Sequence, residues 1–174
     1  ILTLLLTVSG SLFAQGKYGK DSADCLKYLS YYKEYYKQKA YEEAMPNWRK
    51  AYKLCPPTAN QTMLIDGTAL LRRLIAVNSN NPVYKDALVD SLITLHRVRA
   101  EAWPKNAVTS LNNMGLDLAN YVQGDPARLY KEFNEIIAAN KTRTKSSLFL
   151  FNLQAAIDLY SNGKLGAEEV INCY

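Results

Sequence analysis

The chain has 174 residues, 48% of them hydrophobic, with 13 tyrosines and 21 basic against 16 acidic residues, a formal charge of +5. That length suffices for one continuous core or a short array of repeats. The basic excess is scattered and the aromatics recur at core spacing beside the charges rather than on one basic face, so no nucleic-acid partner is expected.

The opening run ILTLLLTVSGSLFAQ is apolar, too short to span a bilayer as a helix, and closes on small and polar residues. It reads as a signal peptide, residues 1–14, cleaved after Ala14; the alternative is an uncleaved anchor. The site resembles signal peptidase sites of Bacteroidetes-like bacteria. The initiator Met and basic leader usual before such a run are absent, so the sequence reads as truncated at its front. A periplasmic or otherwise exported chain follows, with outer-membrane association open and no stable membrane insertion once the signal is removed. Residues 15–23 are a polar, glycine-containing, flexible leader in which Ser22 or Asp24 is placed to cap the first helix. Asp21-Ser22-Ala23 also resembles an acceptor triplet for O-glycosylation in the same bacteria.

Residues 24–174 carry helical periodicity throughout. From Cys25 to Gln38, residues Tyr28, Leu29, Tyr31, Tyr32, Tyr35 and Tyr36 recur at spacings of three and four. Ala44, Trp48, Ala51, Tyr52 and Cys55 do the same in the next segment, which Pro56 and Pro57 end. Lys39 and Ala40 alone separate the halves clearly, so they fold back antiparallel. Tyr28, Tyr35 and Tyr52 are expected in the core. The antiparallel fold sets Cys25 beside Cys55, which an exported protein would join as a disulfide and a reducing compartment would leave as two buried thiols. Cys173 is left over, near an end that falls inside a helical pattern.

This hairpin resembles the tetratricopeptide repeat, W-x2-L-G-x2-Y followed by A-x3-F and P. Tyr28, Tyr31, Tyr32 and Tyr35 stand at the first four positions, then Ala44, Trp48 and Pro56. The repeat's small glycine is Tyr32 here, so the hairpin either splays or buries a phenol whose hydroxyl needs a partner.

A second pair follows, with Met63, Gly67, Leu70, Leu71 and Leu74 on one face, an Asn81-Pro82 helix start, and a long helix from Tyr84 to Trp103-Pro104. The third pair is closer to the repeat: Leu111, Met114, Gly115 and Leu118 match its W, L, G and Y. A Gly124-Asp125-Pro126 turn and the return face Leu129, Phe133, Ile136 and Ile137 complete it. A fourth begins with Phe151, Ala155, Ile157 and Leu159, turns at Asn162-Gly163, and reads as cut short at Tyr174. The fold expected is all-α, a short α-solenoid of about three and a half antiparallel hairpins.

No catalytic set is legible. The single histidine, His96, has no second His or Cys at ligand spacing and reads as a surface or half-buried structural residue, so no metal or cofactor is expected. There is no phosphate loop and no nucleophile elbow. The resemblance implies instead a groove along the first helices of successive pairs that binds a protein or peptide. Its positions fall on Lys33, Tyr36, Lys37, Arg72, Asn112, Asn113 and Asn120, a basic and amide set suited to carboxylates or extended backbone. The alternative is a glycan- or nutrient-binding helical module, or an enzyme in which the repeats scaffold an unrecognised site.

Overall fold

Side-chain caps at Asn60, Asn81 and Asp125 fix the starts of three of the helices. In the computed structural model residues 16–173 are described, so the signal peptide expected over residues 1–14 lies outside them. Eight α-helices follow in order: α1 (Ser22–Lys37), α2 (Tyr41–Leu54), α3 (Gln61–Val77), α4 (Pro82–Ala102), α5 (Ala107–Tyr121), α6 (Pro126–Asn140), α7 (Ser146–Ser161) and α8 (Ala167–Ile171). Short 3-10 turns, Pro104–Asn106 and Lys141–Arg143, precede α5 and α7. No strand occurs among the described residues, so the fold is all-α, and none of these helices is long and apolar enough to cross a membrane.

Side-chain oxygens of Asn60, Asn81 and Asp125 accept from the backbone N–H groups of Met63, Tyr84 and Arg128 at 3.2, 3.1 and 3.0 Å, fixing the starts of α3, α4 and α6. Pro82 and Pro126 occupy the first turn behind two of them. At α1 the expectation shifts: Asp21 precedes the helix, and Ser22 and Asp24 lie inside its first turn. The leader is not free of the fold either, because Tyr18 packs against the core. α1 ends in a Schellman arrangement, with Ala40 N donating to Tyr35 O at 2.9 Å and Lys39 N to Tyr36 O at 3.1 Å. Lys39 takes the left-handed position at φ 61°, which Gly163 fills at φ 67° after α7. A three-residue reversal, Gln38 to Ala40, is thereby possible without the glycine that usually permits it.

The disulfide between Cys25 and Cys55 is formed, with Cα atoms 5.1 Å apart, and it closes the open end of the α1–α2 hairpin. Tyr32 is fully buried, and its hydroxyl donates to Asp66 Oδ2 at 3.3 Å, so the hairpin accommodates the phenol rather than splaying. Tyr28 and Tyr52 are half-buried, whereas Tyr31 and Tyr35 are 49% and 38% exposed. The expectation for Tyr35 is thus corrected. α1 packs mainly on α2, and its aromatic positions cover a wider arc than that contact buries.

Each helix packs on its neighbours in sequence, and side-chain bonds link alternate helices into two rows. In the odd row Tyr32 joins α1 to α3, a bidentate Arg72–Asp117 pair joins α3 to α5, and Leu148 of α7 lies against Gly115 of α5. In the even row Arg49 reaches the Tyr84 hydroxyl from α2 to α4. Arg128 pairs with Asp90 at 2.7 Å, and Arg97 bonds Glu132 and Glu135, joining α4 to α6. Gly67 explains the tightest crossing. Trp48 Nε1–H donates to the Met63 carbonyl at 2.8 Å, and the indole lies where a Cβ on Gly67 would stand, with Leu95 Cδ2 only 2.8 Å from that point. Gly67→Ala is therefore expected to destabilise by about 1–3 kcal/mol through overpacking, read as a lower urea midpoint at unchanged slope. An unchanged midpoint would mean that Trp48 does not seat against α3.

Candidate functional site

Helix position decides which of the sequence-nominated residues are free to meet a partner. On α1, Lys37 is exposed while Lys33 and Tyr36 are half-buried. The Tyr36 ring meets Tyr41 edge-on with centroids 5.6 Å apart, and burial, then the nearby Asp66 carboxylate, pushes its hydroxyl pKa up. Burial also raises Asp66; the Tyr32 hydrogen bond and the Lys33 charge offset part of that shift. On α5, Asn113 is half-buried and Asn120 exposed.

Two of the nominated residues serve the interior instead. Asn112 is buried, with its amide donating to Arg143 O and its carbonyl oxygen accepting from Lys145 N, both at 3.0 Å, so it clamps the turn that enters α7. Arg72 donates through Nε and Nη2 to the two oxygens of Asp117, each at 2.8 Å. A side chain so engaged is a poor surface probe, because Arg72→Glu would press a second carboxylate against Asp117.

Asp117 is the centre of a polar junction among apolar neighbours. It is 3% exposed, and His96 of α4, 1% exposed, places Nε2 2.8 Å from the same Oδ2 that Arg72 reaches. Burial pushes the Asp117 carboxyl up, but the hydrogen bonds from His96 and Arg72 and the Arg72 charge outweigh it, so the group is held below its ordinary range. The Asp117 bond raises Arg72 in turn. Ser110 Oγ donates to the His96 carbonyl at 2.8 Å, which holds α5 on α4. His96 is thus fully buried, not at the surface or half-buried. A carboxylate that orients an imidazole is an arrangement some hydrolases use. Here, however, Nδ1, the nitrogen that would face a substrate, is buried without a hydrogen-bond partner. The three side chains act as a tie between α3, α4 and α5. Among the described residues no cluster of His, Cys, Asp and Glu is arranged to hold a metal.

A separate open groove lies between the first two hairpins. Between the start of α2 and the end of α3 runs a groove of about 540 Å³. Met45, Pro46, Leu70, Leu74 and Val77 form its apolar surface, with Val77 70% exposed. Its rim carries Arg49, Lys50 and Arg73 against one acid, Glu42. These cations rest on aromatic groups: Arg73 stands 4.6 Å from the Tyr41 ring centroid, Lys50 4.9 Å from that of Tyr28, and Arg49 Nη2 3.4 Å from the Tyr84 hydroxyl. None forms an ion pair among the described residues. Cation–π contacts orient a charge without neutralising it. The groove therefore presents apolar surface edged by positive charge, which suits an apolar segment carrying carboxylates.

Tyr36 touches this groove only through Tyr41, and none of the residues that line it was nominated from the sequence. One signal was present. In QTMLIDGTALLRRLIAV, Leu70, Leu74 and Val77 continue the apolar stripe of Met63 and Gly67 to the end of α3, beyond the part that the core covers. No protein-family model, curated protein or solved structure matches the chain.

Proposed function

We propose that the protein is an exported, non-catalytic interaction module, a short tetratricopeptide-like solenoid that binds a segment of a partner protein. The observation that carries this reading is the α2–α3 groove, with its apolar lining and three cations not neutralised by internal acids. The two rows of helices support the solenoid, since alternate-helix contacts are how stacked hairpins share a core. The disulfide fits an oxidising compartment, and the periplasm is the compartment proposed. The partner segment is apolar with acidic residues at its flanks, the apolar part supplying affinity and the carboxylates orientation.

Selection from a random peptide display library tests the chemistry. Peptides enriched on the wild-type protein are expected to combine apolar residues with Asp or Glu, and to lose binding to the Arg49→Glu, Arg73→Glu variant, whose far-UV spectrum should be unchanged. Enrichment of basic peptides, or binding indifferent to that charge reversal, would contradict the assignment.

A further inference from the structure

Arg99 of α4 is a cation buried without a counter-charge. It is 8% exposed, its Nε is buried without a hydrogen-bond partner, and it takes part in no ion pair among the described residues. Burial alone acts on its pKa and pulls it down, with no carboxylate near enough to offset the loss of water. Glu101, the nearest acid in sequence, is exposed and points about 200° away around the helix. Arg72, only half-buried, is by contrast held by both oxygens of Asp117.

The position of Arg99 decides what it faces. Leu92, Leu95, Arg99 and Trp103 form one stripe along α4 at spacings of three and four. Leu95 Cδ2 lies 2.8 Å from where a Cβ on Gly67 would stand, and Trp103 Nε1–H donates to the Pro57 carbonyl at 3.1 Å. Arg99 is one turn from each contact, so it stands over the chain midway between Pro57 and Gly67, which is the first turn of α3. That turn adds further donors. Asn60 Oδ1 takes the N–H of Met63, which leaves those of Gln61 and Thr62 without a hydrogen bond among the described residues, and Gln61 Nε2 is buried without a partner. The start of a 17-residue helix also presents the positive end of its dipole.

We infer that Arg99 and the start of α3 form a binding site for a carboxylate, supplied by a partner protein or by a free carboxylic acid. Water can take the hydrogen bonds of these donors but cannot answer the charge, which needs an anion. One guanidinium matches a monoanion, and its planar fork matches the two oxygens of a carboxylate. A doubly charged phosphate would bring a charge that no second cation meets. The α2–α3 groove takes in Leu74 and Val77 at the other end of α3, about 20 Å away at 1.5 Å per residue, so either site can fail without the other.

Nuclear magnetic resonance of the ¹⁵N-labelled whole protein tests this, with sodium acetate replacing sodium chloride at constant ionic strength. The Arg99 Nε–H, the Gln61 side-chain amide and the backbone amides of Gln61 and Thr62 are expected to shift together and saturate. Arg99→Met should weaken that binding at least about tenfold, the worth of a hydrogen bond to a charged group. In chloride alone its urea midpoint should be no lower than that of the wild type, because the substitution removes an uncompensated charge at similar volume. An N-acetylated, C-amidated peptide with a single Glu separates the sources: saturation below the acetate concentration assigns the carboxylate to a protein, and above it to a free acid. No saturable shift with either probe at about 0.1 M, far above the millimolar constant that a four-atom ligand can reach, overturns the inference. Tighter binding of inorganic phosphate than of acetate overturns the carboxylate assignment. An Arg99→Met chain that is less stable than the wild type in chloride overturns it too, since the fold itself would then be satisfying Arg99.

Discussion

Asp117→Ala is expected to cost about 1–3 kcal/mol of folding stability, because it leaves the buried His96 ring and the half-buried Arg72 guanidinium without their shared acceptor. The penalty belongs to the orphaned partners more than to the lost attraction, and this gives the prediction a second arm. Replacing the whole junction by Arg72→Met, His96→Leu and Asp117→Leu should restore most of the loss, since apolar residues of similar volume have nothing left to satisfy. The pH dependence has a definite sign. The folded-state pKa of Asp117 is depressed, so its contribution is fully present above the unfolded value of about 3.9 and is lost as pH falls through the lower folded value. The stability gap between wild type and Asp117→Asn should therefore hold from neutral pH down to about 4 and close below it. Denaturant titrations across that range measure it. A gap independent of pH, or an apolar triple variant as unstable as Asp117→Ala, would remove Asp117 from the role of charged tie.

Reducing the Cys25–Cys55 bond is the second large effect. The bond closes a loop with a sequence separation of 30 residues. In the chain-entropy account that constraint is worth about 3–4 kcal/mol, a fall in Tm of about 10 °C for a domain of this size. Thermal unfolding with and without dithiothreitol, and of the Cys25→Ala, Cys55→Ala variant, measures it. Thiol titration in denaturant supplies an independent check. One thiol per chain, from Cys173, should react before reduction and three after it. Three reactive thiols in protein folded under oxidising conditions would show that the bond does not form.

Local chemistry made much of the fold legible. Asn81-Pro82 and Asp125-Pro126 announce helix starts, and Gly67 and Gly115 mark close crossings where any side chain would collide with Trp48 or Leu148. Cys25 and Cys55 meet because the chain reverses between them. What was not legible depends on which neighbour covers which arc. Tyr31 and Tyr35 follow the same spacing as the buried Tyr32, and only the lack of a helix over their side of α1 leaves them exposed. Asp117 stands between Leu116 and Leu118 at a core-facing position, and its acceptors are satisfied by residues 45 and 21 positions away in sequence, a distance at which periodicity carries no information. The groove set shows the same limit. Lys37 and Asn120 are exposed as a binding role requires, yet Arg72 and Asn112, at equivalent-looking positions, found partners inside the fold.

Site-directed photo-crosslinking in the native host, with benzoylphenylalanine at Val77 in the α2–α3 groove and, as control, at Val83, 81% exposed on α4 and outside the groove lining, tests partner binding most directly. The account predicts a discrete adduct from position 77 that is absent from position 83 and lost when Arg49 and Arg73 are changed to Glu. The same adducts from both positions, or an adduct at 77 that survives the charge reversal, would contradict it.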